Sequence, residues 1–173
     1  MSSLLVLGGA RSGKSRYAQA RAETTGGALA FVATAQAYDT EMDERIARHR
    51  ADRDRRWITI EAPLDLAEAI AEAGKKADAV LVDCLTLWLS NLLLAGRDIA
   101  SASAALEAAI LASPRPVILV ANEVGLGIVP DNVLARRFRD EAGWLHQKLA
   151  LACAEVVLVT AGLPMVLKSP PSP

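Results

Sequence analysis

Apolar and polar positions along the chain alternate between two rhythms. Short apolar runs, rich in β-branched residues, occupy positions 4–7, 28–34, 79–83, 117–121 and 155–159, with a shorter alternating run at 57–61. Runs of this length predict strands, and the nearly continuous ones predict strands covered on both faces. Between them, positions 16–22, 64–73, 84–94, 101–111 and 132–152 carry helix-forming composition or apolar residues at helical spacing, and predict helices. Strand and helix in alternation predict a single α/β domain with a mostly parallel sheet flanked by helices. Ligands in such folds sit beyond the carboxyl ends of the strands, where this chain has Thr34, Asp83 and the pair Asn122-Glu123. No internal repeat is visible. The proline- and serine-rich end, 168–173, is expected to be disordered, so the domain is set at 1–168 with a tail at 169–173.

The first apolar run leads directly into Gly8-Gly9-Ala10-Arg11-Ser12-Gly13-Lys14-Ser15, a full match to G-x-x-x-x-G-K-[ST]. Glycines let the backbone curl so that its N–H groups face anionic oxygens. Lys14 can reach the outer phosphates of a nucleoside triphosphate, and the Ser15 hydroxyl can ligate Mg²⁺. Strand, turn and helix come in the order that puts phosphates at a helix N-terminus. The expected architecture is therefore a P-loop nucleotide-binding fold. Asp83, ending an apolar run, is the candidate carboxylate that holds Mg²⁺ beside Ser15; its alternative is to cap the following helix. Glu123 occupies the equivalent place after another strand. A metal-associated or base role and a loop-ordering hydrogen bond are both open for it.

Composition narrows the partners. At 173 residues the chain suits one domain that buries roughly two-thirds of the surface of its unfolded form. A formal net charge of −1 provides no global basic field for nucleic acid or an anionic membrane. Cys84 and Cys153 lie far apart in apolar stretches, as core thiols do. No apolar run reaches the ~18 residues that span a bilayer and no cleavable leader is visible, so a cytoplasmic location is expected. Trp88 and Trp144 lie on helical patterns, and burial is expected for both.

One segment departs from the α/β rhythm. Between Asp43 and Trp57 come Arg45, Arg48, Arg50, Arg53, Arg55 and Arg56 against Asp43, Glu44, Asp52 and Asp54, with His49 in the middle. Charge alternation alone describes a solvated helix laced with ion pairs. Beside a phosphate loop, the same arginines can neutralise a bound triphosphate. A neutral imidazole among them is a competent nucleophile toward phosphorus, which would split a nucleotidyl transfer into two steps. His146, the other histidine, sits beside the helical stripe of Leu134, Phe138, Leu145 and Leu149 and reads as structural or surface.

The loop at 8–15, Val-Ala-Thr-Ala at 32–35, Arg-Ile-Ala-Arg-His-Arg at 45–50, Trp57 with Thr59-Ile60-Glu61-Ala62-Pro63, Val-Asp-Cys-Leu-Thr-Leu-Trp-Leu-Ser-Asn at 82–91 and Asn-Glu-Val-Gly-Leu-Gly-Ile-Val-Pro at 122–130 form an ordered set. Together they resemble the bifunctional adenosylcobinamide kinase / adenosylcobinamide-phosphate guanylyltransferase family of cobalamin biosynthesis, over nearly the whole chain. The resemblance implies two reactions. ATP or GTP phosphorylates adenosylcobinamide, and GMP then passes from GTP to adenosylcobinamide phosphate through a GMP-histidine intermediate, releasing pyrophosphate. It implies that the histidine is His49, and that GTP contacts fall on 8–15, on Ala33, Thr34 and Ala35, on Arg50, Ala51, Asp52 and Arg53, and on Glu61 and Asp83. It also implies a homotrimer whose neighbouring subunits help form each site. Two other readings compete: a simple small-molecule kinase in which His49 only binds phosphate, and a GTP-dependent switch, for which the N-K-x-D guanine-reading motif is missing.

Overall fold

The computed structural model describes residues 3–35 and 54–170. In chain order these form β1 (Ser3–Gly8), α1 (Lys14–Glu23), β2 (Leu29–Ala33), β3 (Trp57–Glu61), α2 (Leu66–Lys76), β4 (Ala79–Asp83), α3 (Leu85–Leu94), α4 (Ile99–Ala112), β5 (Val117–Asn122), α5 (Val133–Ala152), β6 (Glu155–Thr160) and β7 (Leu163–Lys168). The strands make one sheet in the order β3-β2-β4-β5-β1-β6-β7. Pairing is parallel throughout except at β7, which runs antiparallel to β6.

The two-residue period of a strand sends successive side chains to opposite faces, and β1 feeds both layers. Leu4 and Val6 join Ile118, Val120, Val157 and Val159 under Ala18 and Ala22 of α1. Leu5 and Leu7 join Leu119, Ala121, Val80 and Val82 on the other face, beneath residues of α2, α3, α4 and α5. Every residue of β1 is buried, which is why its sequence shows no alternation. At its C-terminal end α1 is fixed to β6 by Arg21, whose guanidinium meets both carboxylate oxygens of Glu155 at 2.9 and 2.7 Å. That bidentate bond holds the Glu155 carboxyl below its ordinary range.

The predicted strands and helices are present, with ends that coincide or move by at most three residues. Three details differ. β7 is not among the predicted strands; its residues are mostly exposed and include Pro164. It joins the sheet through a turn at Ala161 and Gly162, both at positive φ (53° and 79°). Lys168 is not part of a tail: it ends β7, and its ammonium donates to the carbonyls of Ala150, Leu151 and Cys153 at 3.0, 2.9 and 2.6 Å. These carbonyls close the C-terminus of α5, where a cation is favoured. Finally, Trp88 is buried and donates from its indole nitrogen to the Leu64 carbonyl, but Trp144 faces outward from α5 and is 63% exposed.

Candidate active site

The phosphate loop stands at the C-terminal end of β1, the strand that lies between β5 and β6. Gly13 is the N-cap of α1 at φ 94°, a left-handed conformation that favours glycine, and a Cβ there would lie 3.3 Å from Gly162 Cα. A Cβ on Gly8 would lie 2.4 Å from Ser12 Oγ, so this position also needs glycine. The first turn of α1 has neither a side-chain cap nor an acidic residue, which leaves its N–H groups and dipole to an anion. Lys14 is largely buried, and its ammonium donates to the Gly9 carbonyl at 3.1 Å, folded back over the loop. The turn between β6 and β7 braces the loop from the side, Gly162 N–H donating to the Ser12 carbonyl at 2.8 Å. Ala10 and Arg11 are exposed at the loop's tip, and Ser15 is half-buried in the first turn of α1.

Asp83 ends β4, one strand beyond β5 from the loop. It shares the face of Leu81, which packs in the same cluster as Ala18 and Ala22 of α1. Its alternative role as a helix cap is not realised: the N-cap of α3 is Cys84, with no side-chain cap bond. Cys84 feels both the Asp83 carboxylate and the Lys14 ammonium, so the two charges border one site. Mg²⁺ is a hard cation that takes a few protein oxygens and fills its remaining positions with phosphates and waters. The Ser15 hydroxyl and the Asp83 carboxylate, on the α1 side of the sheet, are a donor set of that kind.

Thr34 is fully buried and each of its polar groups has a protein partner. Its hydroxyl donates to the Cys84 carbonyl at 2.7 Å and accepts from Cys84 N–H at 2.8 Å. Its N–H donates to the Asp83 carbonyl and its own carbonyl accepts from Asn91 Nδ2 at 2.8 Å. Thr34 thus ties the end of β2 to the ends of β4 and α3, and leaves the half-buried Ala33 and Ala35 as the accessible part of that triplet. Glu61 ends β3 at the edge of the sheet, four interstrand steps from β1, or roughly 19 Å. One subunit therefore does not bring Glu61 and the loop together. His49, Arg50, Ala51, Asp52 and Arg53 lie outside the described residues.

Glu123 does order its loop, as one reading of the sequence had it, since its carboxylate accepts from Gly125 N–H. Two further contacts were not legible in the sequence. Glu123 N–H donates to the Gly8 carbonyl at 2.9 Å, pinning it to the first glycine of the phosphate loop. Its other carboxylate oxygen is 4.0 Å from Nδ1 of His146, a buried residue of α5. Burial lowers the tendency of His146 to protonate, against a smaller opposing pull from Glu123. The signal that could have linked them is positional: a residue just past a strand next to β1, and a histidine on the apolar face of the next helix.

A phosphate loop opening a helix packed on the sheet, with an aspartate ending a strand on the same face, defines a P-loop nucleotide-binding protein. The fold is similar to that of a KaiC-like protein from the hyperthermophilic archaeon Pyrococcus horikoshii, with a TM-score of 0.53 at 15% identity over 91% of this chain and 70% of that one. The chain belongs to the cobinamide kinase / cobinamide phosphate guanyltransferase family, whose model matches residues 4–167, and it is an enzyme of that class. It is 50% identical to the bifunctional adenosylcobalamin biosynthesis protein CobP of Pseudomonas aeruginosa, over 96% of this chain and 98% of the relative. It is 42% identical to the bifunctional adenosylcobalamin biosynthesis protein CobU of Salmonella typhimurium, over 95% of this chain and 99% of the relative.

Proposed function

We propose that this chain phosphorylates adenosylcobinamide with ATP or GTP and then transfers GMP from GTP to adenosylcobinamide phosphate by way of a GMP adduct on His49. The observation that carries the reading is the formed phosphate loop, with its buried Lys14 and open helix N-terminus, in a chain that matches the family from 4 to 167.

In the first reaction the loop N–H groups and Lys14 hold the triphosphate and draw charge off its outer oxygens. The acceptor hydroxyl attacks the γ-phosphorus, the bond to the β,γ-bridging oxygen breaks, and the nucleoside diphosphate leaves. Ser15 and Asp83 are the residues that would hold Mg²⁺, which when bound neutralises phosphate charge. In the second reaction an imidazole nitrogen of His49 attacks the α-phosphorus of GTP and pyrophosphate leaves. An oxygen of adenosylcobinamide phosphate then attacks the phosphoramidate, giving adenosylcobinamide-GDP and free His49. Arg50 and Arg53 are placed in sequence to neutralise the phosphates around that histidine. Ala33, Ala35 and Glu61 complete the set of residues proposed to contact GTP.

The reading includes a homotrimer, and two features of the chain support it. Glu61 is far from the loop within one subunit, and a neighbour can supply what one sheet edge separates. Leu163, Met165, Val166 and Leu167 along β7, and Leu126, Ile128 and Val129 after β5, are exposed apolar residues of the kind an assembly covers. No helix among the described residues is long and apolar enough to cross a membrane, which accords with the cytoplasmic location proposed here.

The test is to incubate the purified chain with Mg²⁺, adenosylcobinamide and ATP, then with GTP, and to identify products by mass. Adenosylcobinamide phosphate first, and adenosylcobinamide-GDP with pyrophosphate second, is the expected result. Phosphorylation without the second product would reduce the protein to a kinase and contradict the transferase assignment.

A further inference from the structure

We propose that Glu123 is a catalytic residue, the general base that takes the proton of the acceptor hydroxyl in the phosphorylation step. The proposal rests on the kinase reading above.

β5 lies directly beside β1, with Asn122 opposite Gly8 in the parallel register. The next residue, Glu123, is bound by its N–H to the Gly8 carbonyl at 2.9 Å, and Lys14 donates to the carbonyl of the neighbouring Gly9. The backbone of Glu123 is thereby fixed at the mouth of the phosphate loop, beside the lysine that reaches the outer phosphates. The end of β5 is itself held by Asn122 N–H donating to the Thr86 hydroxyl at 3.1 Å.

Alternation along β5 decides what the carboxylate can do. Leu119 and Ala121 pack on the face that carries Leu145 and Leu149 of α5, and Glu123 continues that row toward His146 on the same helix. Asp83 is on the opposite face, with α1 and Ser15. The two carboxylates therefore flank the loop from opposite faces of the sheet. The one beside Ser15 is suited to the metal. In-line transfer requires the hydroxyl to approach from the side away from the departing diphosphate, which lies along the loop and α1. Glu123, held by its N–H to the Gly8 carbonyl, is the carboxylate we assign to that approach.

Its environment leaves it able to act. One oxygen accepts from Gly125 N–H, which aims the group without using its full acceptor capacity, since a carboxylate has about four lone-pair sites. The other oxygen faces His146, whose Nε2 has no hydrogen-bond partner among the described residues and whose burial favours the neutral form. As the hydroxyl oxygen bonds to the γ-phosphorus and the diphosphate leaves, the hydroxyl proton passes to Glu123 and from there to solvent, which reaches its partly exposed side chain.

The experiment uses Glu123→Gln, Glu123→Asp and the unaltered chain, with steady-state phosphorylation of adenosylcobinamide by ATP and, separately, guanylyl transfer to chemically supplied adenosylcobinamide phosphate. Glutamine keeps an acceptor for Gly125 N–H and the shape of the side chain but takes no proton. Expected is a fall in kinase kcat of about 10²-fold or more for Glu123→Gln, with the KM for ATP within about threefold. Partial recovery in Glu123→Asp, and guanylyl transfer within about threefold of the unaltered chain for both variants, complete the expected pattern. Kinase kcat retained in Glu123→Gln, or both activities lost equally, would overturn the proposal and leave Glu123 a loop-ordering residue. An unaltered chain with no kinase activity would overturn the functional reading and this proposal with it.

Discussion

Lys14, Thr34 and His146 are all buried polar residues, and each answers differently to the cost of leaving water. Lys14 folds onto the Gly9 carbonyl, and Thr34 satisfies its hydroxyl twice on Cys84. Replacing Thr34 with valine would leave the Cys84 N–H and carbonyl without that partner, and is expected to cost about 1–3 kcal/mol in urea unfolding. An unchanged midpoint and slope would contradict the tie between β2 and β4. Burial of His146 instead favours its neutral form. Its folded pKa is lowered from 6.5, so below that value the unfolded chain binds a proton that the folded chain resists. Stability therefore falls as pH drops below about 6.5, by at most about 1.4 kcal/mol per pH unit for this one proton, until the folded imidazole itself titrates. Unfolding free energies measured near pH 7.5 and pH 5.5 should differ less for His146→Gln than for the unaltered chain; an equal pH dependence would remove His146 as the cause. At this scale the eight residues of the phosphate loop were legible because their spacing encodes one local geometry. The Thr34–Cys84 tie and the Glu123–His146 approach were not, because each joins positions distant in sequence that meet only when the sheet is assembled.

At the scale of elements, the central strands were readable because burial on both faces writes itself as unbroken apolar runs, as in Val117–Asn122. β7 had no such mark. It is an exposed edge strand with a proline, and what makes it a strand is its partner β6 and the positive-φ turn at Ala161 and Gly162 rather than its own pattern. Trp144 was misjudged for a related reason: a helix of 20 residues has faces beyond the core, and helical spacing alone does not say which one an aromatic occupies. The hairpin of β6 and β7 is functional scaffolding, since its turn donates to Ser12 of the loop and its last residue closes α5. Lys168→Met keeps the aliphatic stem and removes the ammonium from three helix-terminal carbonyls. A loss of about 1–2 kcal/mol in urea unfolding is expected, and no loss would show that solvent satisfies those carbonyls equally well.

Across the whole molecule, the sheet sorts chemistry by strand position and by face. The loop, Asp83 and Glu123 gather at the C-terminal ends of β1, β4 and β5, and Glu61 stands at the far edge of the same sheet. The family's name carries two reactions, and this layout gathers the groups for phosphoryl chemistry around β1. The second reaction, as proposed, is stepwise and runs through His49. The direct measurement is incubation with Mg²⁺ and GTP labelled on the α-phosphate, without any corrinoid, followed by denaturation and mass analysis of the unaltered chain and His49→Ala. An acid-labile GMP adduct on the unaltered chain, mapped to His49, and none on His49→Ala is the expected result. Nucleotide binding without an adduct on the unaltered chain, or an adduct that persists in His49→Ala, would contradict it.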